Sequence, residues 1–149
     1  MPGIMTLVND AGLDQPCVDL QRMIQRVVRR PDLSIDTYQG DFAAVAGIHL
    51  DLSKTIATCP GIVLAMAGEV VEFAALRQRL SDCGQDVRSI HTQSELLLEL
   101  YRVFGLDSIC GLNGAYAVII WEPDLRRLTL VRDRFGLIGL YYWQANGLL

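Results

Sequence analysis

With 149 residues, 51% of them hydrophobic and 20% charged, the chain is sized for one globular domain burying roughly 70% of its unfolded surface, which excludes intrinsic disorder. A balance of 13 basic against 17 acidic residues, net charge −4, excludes a generic phosphate-backbone binder unless the basic residues segregate. Arg22, Arg26, Arg29 and Arg30 on one predicted helix, and Arg126, Arg127, Arg132 and Arg134 around a hairpin turn, read as solvated faces, so no nucleic-acid partner is expected.

The elements follow in chain order. The apolar run Ile4 to Val8, closed by Asn9-Asp10-Ala11-Gly12, predicts a buried strand and a turn. Leu20, Met23, Ile24 and Val27 recur at helical spacing, and Pro31 stops that helix near Arg29 or Arg30. A strand pair is expected at Ser34 to Gln39 and Phe42 to His49, with Gly40 at the turn. After Pro60-Gly61, Ile62 to Met66 reads as a buried strand leading through Ala67 to a tight turn at Gly68. From Val71 the spacing of Phe73, Leu76 and Leu80 is helical, with Gly84 as the C-terminal cap. Thr92 and Glu95 form a capping box that opens a second helix through Leu97, Leu100 and Phe104, with Gly105 past its end. Ala115 to Trp121 is apolar at both alternations, as in a strand covered on two faces; Glu122-Pro123-Asp124 breaks it and Leu128 to Val131 returns. No repeat, low-complexity tract or linker divides the chain, so 1–149 is read as a single domain.

Cys17, Cys59, Cys83 and Cys110 show neither CxxC spacing nor a neighbouring histidine pattern, so reduced, mostly buried thiols and no metal site are expected. The sequence lacks a signal-peptide pattern and any apolar stretch near the roughly 20 residues that span a bilayer, which gives no membrane contact and a cytoplasmic location as the expectation.

The run Gly111-Leu112-Asn113-Gly114-Ala115-Tyr116-Ala117-Val118-Ile119-Ile120-Trp121, followed by Arg127-Leu128, Val131-Arg132-Asp133-Arg134-Phe135-Gly136 and Leu140-Tyr141-Tyr142, resembles the glutaminase domain of asparagine synthetases. Upstream, Pro2-Gly3-Ile4 resembles the family's Cys-Gly-Ile start, Arg30-Pro31-Asp32 its Arg-Gly-Pro-Asp turn, Ala67-Gly68-Glu69 its Asn-Gly-Glu, and Thr92-Gln93-Ser94-Glu95 its Thr-Asp-Thr-Glu. The resemblance covers essentially the whole chain. It implies an α+β fold of the Ntn-hydrolase kind: an αββα four-layer sandwich of antiparallel sheets, here C-terminally short, because the family's domain runs on through further strands to an ATP-using synthetase domain.

The same resemblance implies that the glutaminase chemistry is missing. An N-terminal-nucleophile glutaminase needs a thiol on its first mature residue, whose α-amino group, with a pKa of about 7.7 to 8.0, assists proton transfer. Pro2 carries no thiol, and the four cysteines have no adjacent free amine. The family's asparagine donates to the developing oxyanion, a contact worth roughly 2.7 to 4 kcal/mol, and Ala67 has lost that amide. Where the family binds the glutamine carboxylate with arginine and the amine with aspartate, this chain has His49 and Gln93, which removes the charge-assisted hydrogen bonds. His49 at the end of an apolar strand is read either as a structural histidine or, if protonated, as a carboxylate partner. Gly68 and Glu69 retain the turn and one carboxylate.

No catalytic residue is therefore expected, and the vestigial cleft would comprise His49, Ala67, Gly68, Glu69 and Gln93. Arg132, Asp133, Arg134 and Gly136 would either contact a partner synthetase domain or simply fix a strand-end turn; Ile138-Gly139 departs from the family's Lys-Pro there. The chain has no pyrophosphatase or Walker phosphate loop, so ATP and Mg are expected only on the partner. The expected role is a catalytically silent docking module of an amide-forming, asparagine synthetase-type system, similar to β-lactam synthetases and lasso-peptide cyclases, with a synthetase subunit or a second copy as partner. The alternatives are an amino-acid or peptide binding module in the old cleft, and a truncated homologue without function.

Overall fold

A computed structural model describes residues 3–9, 16–50 and 54–144, with the side chains of 16–18 left aside. Pro2, the Cys17 side chain and the turn expected at 10–12 lie outside what is described. Among the described residues seven strands form two antiparallel sheets: β1 (Gly3–Val8), β2 (Ser34–Gln39) and β3 (Ala43–His49) in the order β1-β3-β2, and β4 (Ile56–Cys59), β5 (Ile62–Val70), β6 (Gly114–Glu122) and β7 (Arg127–Arg132) in the order β4-β5-β6-β7. The helices are α1 (Pro16–Val27), α2 (Phe73–Asp82), α3 (Gln93–Phe104) and the short α4 (Asp107–Cys110).

Side-chain alternation explains the layers. On β3, Val45 faces the other sheet and packs with Val63, Ala65, Ile119 and Trp121. Its neighbours Ala44 and Ala46 face the opposite way, against Leu20, Met5 and Ile24 beneath α1. The outer face of the second sheet, with Leu64, Tyr116, Val118 and Ile120, packs on Leu80, Leu96, Leu97 and Leu100 of α2 and α3. The result is the expected α+β sandwich: α1, three strands, four strands, then α2 and α3. Every residue from Tyr116 to Glu122 is buried, as the two-faced apolar pattern of β6 requires.

Local signals hold at the helix ends. Thr92 accepts from the Glu95 N–H, and Glu95 accepts from the N–H groups of Thr92 and His91 at 2.9 and 2.8 Å. Gly105 at φ 75° donates to the Tyr101 carbonyl where α3 stops, and Gly84 at φ 79° follows α2.

Four expectations are corrected. The strand from Ile62 does not turn at Gly68: β5 runs on to Val70, because Gly68 and Glu69 stay in register with Tyr116 and Ala115 on β6. β4 was not expected; four mixed residues are too short for a period to show. Val27, placed on the apolar face of its helix, is 58% exposed in the final turn. Cys83 and Cys110 are exposed and Cys59 half-buried, so the described thiols are not mostly buried. Among the described residues no helix is long and apolar enough to cross a membrane.

Candidate functional site

The cleft residues come from three elements that share one end of the sandwich. His49 ends β3, Ala67, Gly68 and Glu69 lie near the end of β5, and Gln93 opens α3; all five line a single cavity of about 510 Å³, together with Lys54, Thr55 and His91. The five residues are thus brought together in one place in the fold.

Within it, most polar groups already have partners. His49 is buried, and its Nε2 lies 3.1 Å from Oδ1 of Asp36 on the neighbouring strand β2. The other oxygen of Asp36 accepts from the backbone N–H of Thr55 at 2.8 Å and from its hydroxyl at 3.2 Å. Burial works to raise the Asp36 carboxyl, but the Thr55 N–H and the His49 ring outweigh it and hold the group below its ordinary value. Gly47 makes this cluster possible, since a Cβ there would overlap the Thr55 hydroxyl. Asp36 and Thr55 were missed from the sequence; the only signal was an acidic residue on the strand beside His49.

Gln93 turns its side-chain carbonyl onto the Val70 N–H at 2.6 Å, satisfying the last residue of β5. The adjacent Ser94 hydroxyl donates to the Lys54 carbonyl at 2.8 Å and ties the β3–β4 connection to α3. Ala67 is buried and offers the cavity a methyl group. Gly68 holds φ 94°, and a Cβ on it would overlap the Ala115 carbonyl oxygen, so the position accepts only glycine without moving β6. The Glu69 side chain is exposed and makes no hydrogen bond or ion pair with a described residue.

The Arg132, Asp133, Arg134 and Gly136 group is elsewhere, just past β7, and lines no part of that cavity. Asp133 is buried at 2% exposure and accepts from three backbone N–H groups: Phe135 and Leu137 at 3.0 Å on one oxygen, Ile138 at 3.1 Å on the other. These bonds, led by that of Leu137, hold its carboxyl below the usual range. Its own N–H bonds the Tyr116 carbonyl at 2.9 Å, and Gly136, at φ 65°, closes the turn on the Asp133 carbonyl at 3.0 Å. Arg132 and Arg134 are exposed. The strand-end turn reading accounts for Asp133 and Gly136; the two arginines are left facing solvent.

Among the described residues no three His, Cys, Asp or Glu side chains converge as metal ligands.

Comparison with known proteins accords with this architecture. The family described as "Glutamine amidotransferase domain" matches residues 1–149. Asparagine synthetase B [glutamine-hydrolyzing] of Escherichia coli is 27% identical over 147 residues, 93% of this chain and 26% of that protein. A probable asparagine synthetase of Dictyostelium discoideum is 26% identical over 105 residues, 70% of this chain and 19% of the relative. Amidase chry2 of Gibberella zeae is 30% identical over 82 residues, 55% of this chain and 12% of the relative. The chain therefore spans about an eighth to a quarter of the length of these relatives. With the family matched along the whole sequence and the layered α+β fold in place, the chain belongs to the glutamine amidotransferase domain family, as a class II domain of the asparagine synthetase type.

Proposed function

We propose that this domain is catalytically silent toward glutamine and acts as a structural or docking module for an ATP-dependent, amide-forming synthetase. The observation that carries the reading is the internal use of the cleft's polar groups. His49, where the family has an arginine for the glutamine carboxylate, is tied to Asp36. Gln93, where the family has an aspartate for the amine, is tied to the Val70 N–H. A neutral histidine has one ring N–H, so with Nε2 donating to Asp36 it needs protonation to donate to a second carboxylate. Ala67 supplies no amide to an oxyanion, and Pro2 supplies no thiol.

The docking half of the proposal rests on the relatives, most of whose length lies outside the match. Magnesium and ATP belong on that partner, whose amine would come from a source other than glutamine hydrolysed here. The partner is a separate subunit, a linked domain or a second copy of this chain. The purified chain should release ammonia from L-glutamine no faster than buffer; a rate well above it that Pro2→Ala abolishes would overturn the catalytic half. Addition of the chain at saturating concentration should raise the melting temperature or the rate of an asparagine synthetase-type adenylating partner, and no change in either would overturn the docking half.

A second reading has its own observation: Glu69 and the Lys54 side chain line a cavity of about 510 Å³ without a described partner. That pair suits the two charges of a free amino acid. Calorimetric titration with glutamine, asparagine and aspartate tests it, and absence of heat with all three removes it.

A further inference from the structure

The two sheets face each other over an apolar layer that thins out toward the cavity. Val45 of β3 and Ala65 of β5 belong to that layer, together with Ile119 and Trp121. Alternation makes Gly47 and His49 on β3, and Ala67 and Glu69 on β5, the next inward positions toward the cavity end. Gly47 and Ala67 have almost no side chain with which to bridge the sheets, and the Glu69 side chain is exposed. Ile4, which pairs with Gly47, is only half-buried. Apolar burial therefore holds the sandwich together from the Trp121 end and fades toward His49.

Polar ties stand at both ends, and they differ in kind. At the far end the Arg126 guanidinium lies 3.9 Å from the centre of the Phe42 ring, joining the β6–β7 turn to the start of β3. At the cavity end the tie is Asp36. One oxygen of its carboxylate takes the Thr55 N–H and hydroxyl, while the other meets His49 Nε2. Each partner is fixed within its own half of the sandwich. Asp36 pairs with Gly47 on β3. Thr55 accepts from the Met66 N–H at 2.9 Å, which extends the β4–β5 ladder by one residue, and the Ser94 hydroxyl holds the neighbouring Lys54 to α3. A break at this end therefore falls between Asp36 and Thr55.

The seam is shaped to close. A Cβ on Gly47 would overlap the Thr55 hydroxyl, so Thr55 fills the space that a side chain at 47 would take. Parting the sheets there vacates that space beside His49, in the wall of the cavity of about 510 Å³. The Asp36 side chain is 26% exposed, so water can replace its two bonds to Thr55 far more readily than it can reach Trp121.

We infer that the sandwich works as a jaw: hinged at the Arg126 and Phe42 end, it opens the cavity by releasing Thr55 from Asp36 and shuts it when that clasp reforms. Asp36 and Thr55 thus govern access to the cavity. Neither glutamine hydrolysis nor a synthetase partner enters this inference, so it stands or falls separately from the proposed function.

Amide exchange on the unaltered chain is the first test. Exchange of the Thr55 N–H requires only that the jaw open, whereas the Met66 N–H also requires β4 to leave β5. Thr55 should therefore exchange at least about tenfold faster, the equivalent of one such bond. Equal protection of the two overturns the proposal. The second test reads distance, with the four native cysteines replaced by serine and nitroxides on exposed positions: Ser34 with Val71 across the cavity end, and Asp41 with Leu125 across the far end. Pulsed electron resonance on Asp36→Ala should show the Ser34–Val71 separation lengthened and the Asp41–Leu125 separation unchanged. Thr55→Val, which removes one of the two bonds and serves if Asp36→Ala does not fold, should give a smaller change of the same sign. An unchanged Ser34–Val71 separation overturns the proposal. So does equal lengthening of both pairs, which would reduce Asp36 to a contributor to overall stability.

Discussion

The cavity at His49 and the Asp133 turn both hold a buried polar side chain at a strand end, yet they differ in how completely the group is enclosed. At the turn, one carboxylate takes three backbone N–H groups from the five residues after it, so side chain and chain path specify each other. In the cavity, partners come from other elements: His49 from Asp36 and Gln93 from Val70, while the Glu69 side chain has none among the described residues. A closed set of local bonds marks a structural role; the cavity instead keeps an exposed carboxylate, Glu69, whose side chain has no partner among the described residues. The Asp133 motif is therefore accounted for by folding, whereas Ala67, Gly68 and Glu69 line an open cavity.

Substitutions at both places sharpen this contrast, beginning with the largest effect. Gly68→Ala should cost about 2 to 4 kcal/mol in a urea titration, because it adds a Cβ at φ 94° against the Ala115 carbonyl. Near-wild-type stability would mean that β5 and β6 separate easily at the cleft. Asp133→Ala should lower the melting temperature by on the order of 5 to 10 °C, since it leaves three amides without their acceptor.

Acid dependence isolates the same group. Asp133 has its folded pKa lowered, so its contribution is complete above the ordinary carboxylate value near 4 and is lost as pH falls through the lower folded value. Asp133→Asn should flatten the acid limb of a stability-against-pH curve while leaving part of it. Asp36, Glu95 and Glu122 are lowered in the same direction and remain: Asp36 and Glu95 by hydrogen bonds that exceed the effect of burial, Glu122 chiefly by Arg127. An unchanged acid limb would show that Asp133 does not titrate with folding.

Smaller effects are expected in the cleft. Gln93→Leu should cost about 1 kcal/mol by leaving the Val70 N–H unsatisfied, measured by chemical denaturation. Glu69→Ala should fall within about 0.5 kcal/mol of wild type. A loss as large as that of Gln93→Leu would reveal a structural role for Glu69 and erase the distinction drawn between the two regions.

The sequence was most readable where one local rule decides the outcome. The Thr92 and Glu95 capping box, the glycines after α2 and α3, and the doubly apolar β6 need no distant information, and each is found where its residues place it. The resemblance also brought His49, Ala67, Gly68, Glu69 and Gln93 to one cavity. What was not legible depends on register between strands. That β5 continues through Gly68 follows from its ladder with β6, and the partners of His49 follow from β2 lying beside β3. Neither spacing nor composition records those neighbours. β4, four residues long, is a strand because β5 lies beside it.

The close approach of β5 and β6 carries one more consequence. A side chain at Gly68 would strike the Ala115 carbonyl, and one at Gly114 the Glu69 carbonyl, so the lip of the cleft is shaped by backbone against backbone. Its contour is thereby insulated from the identity of the residues that line it. Re-equipping the pocket, beginning with Ala67→Asn, should be a matter of exchanging side chains on an intact frame, with no strand to rebuild.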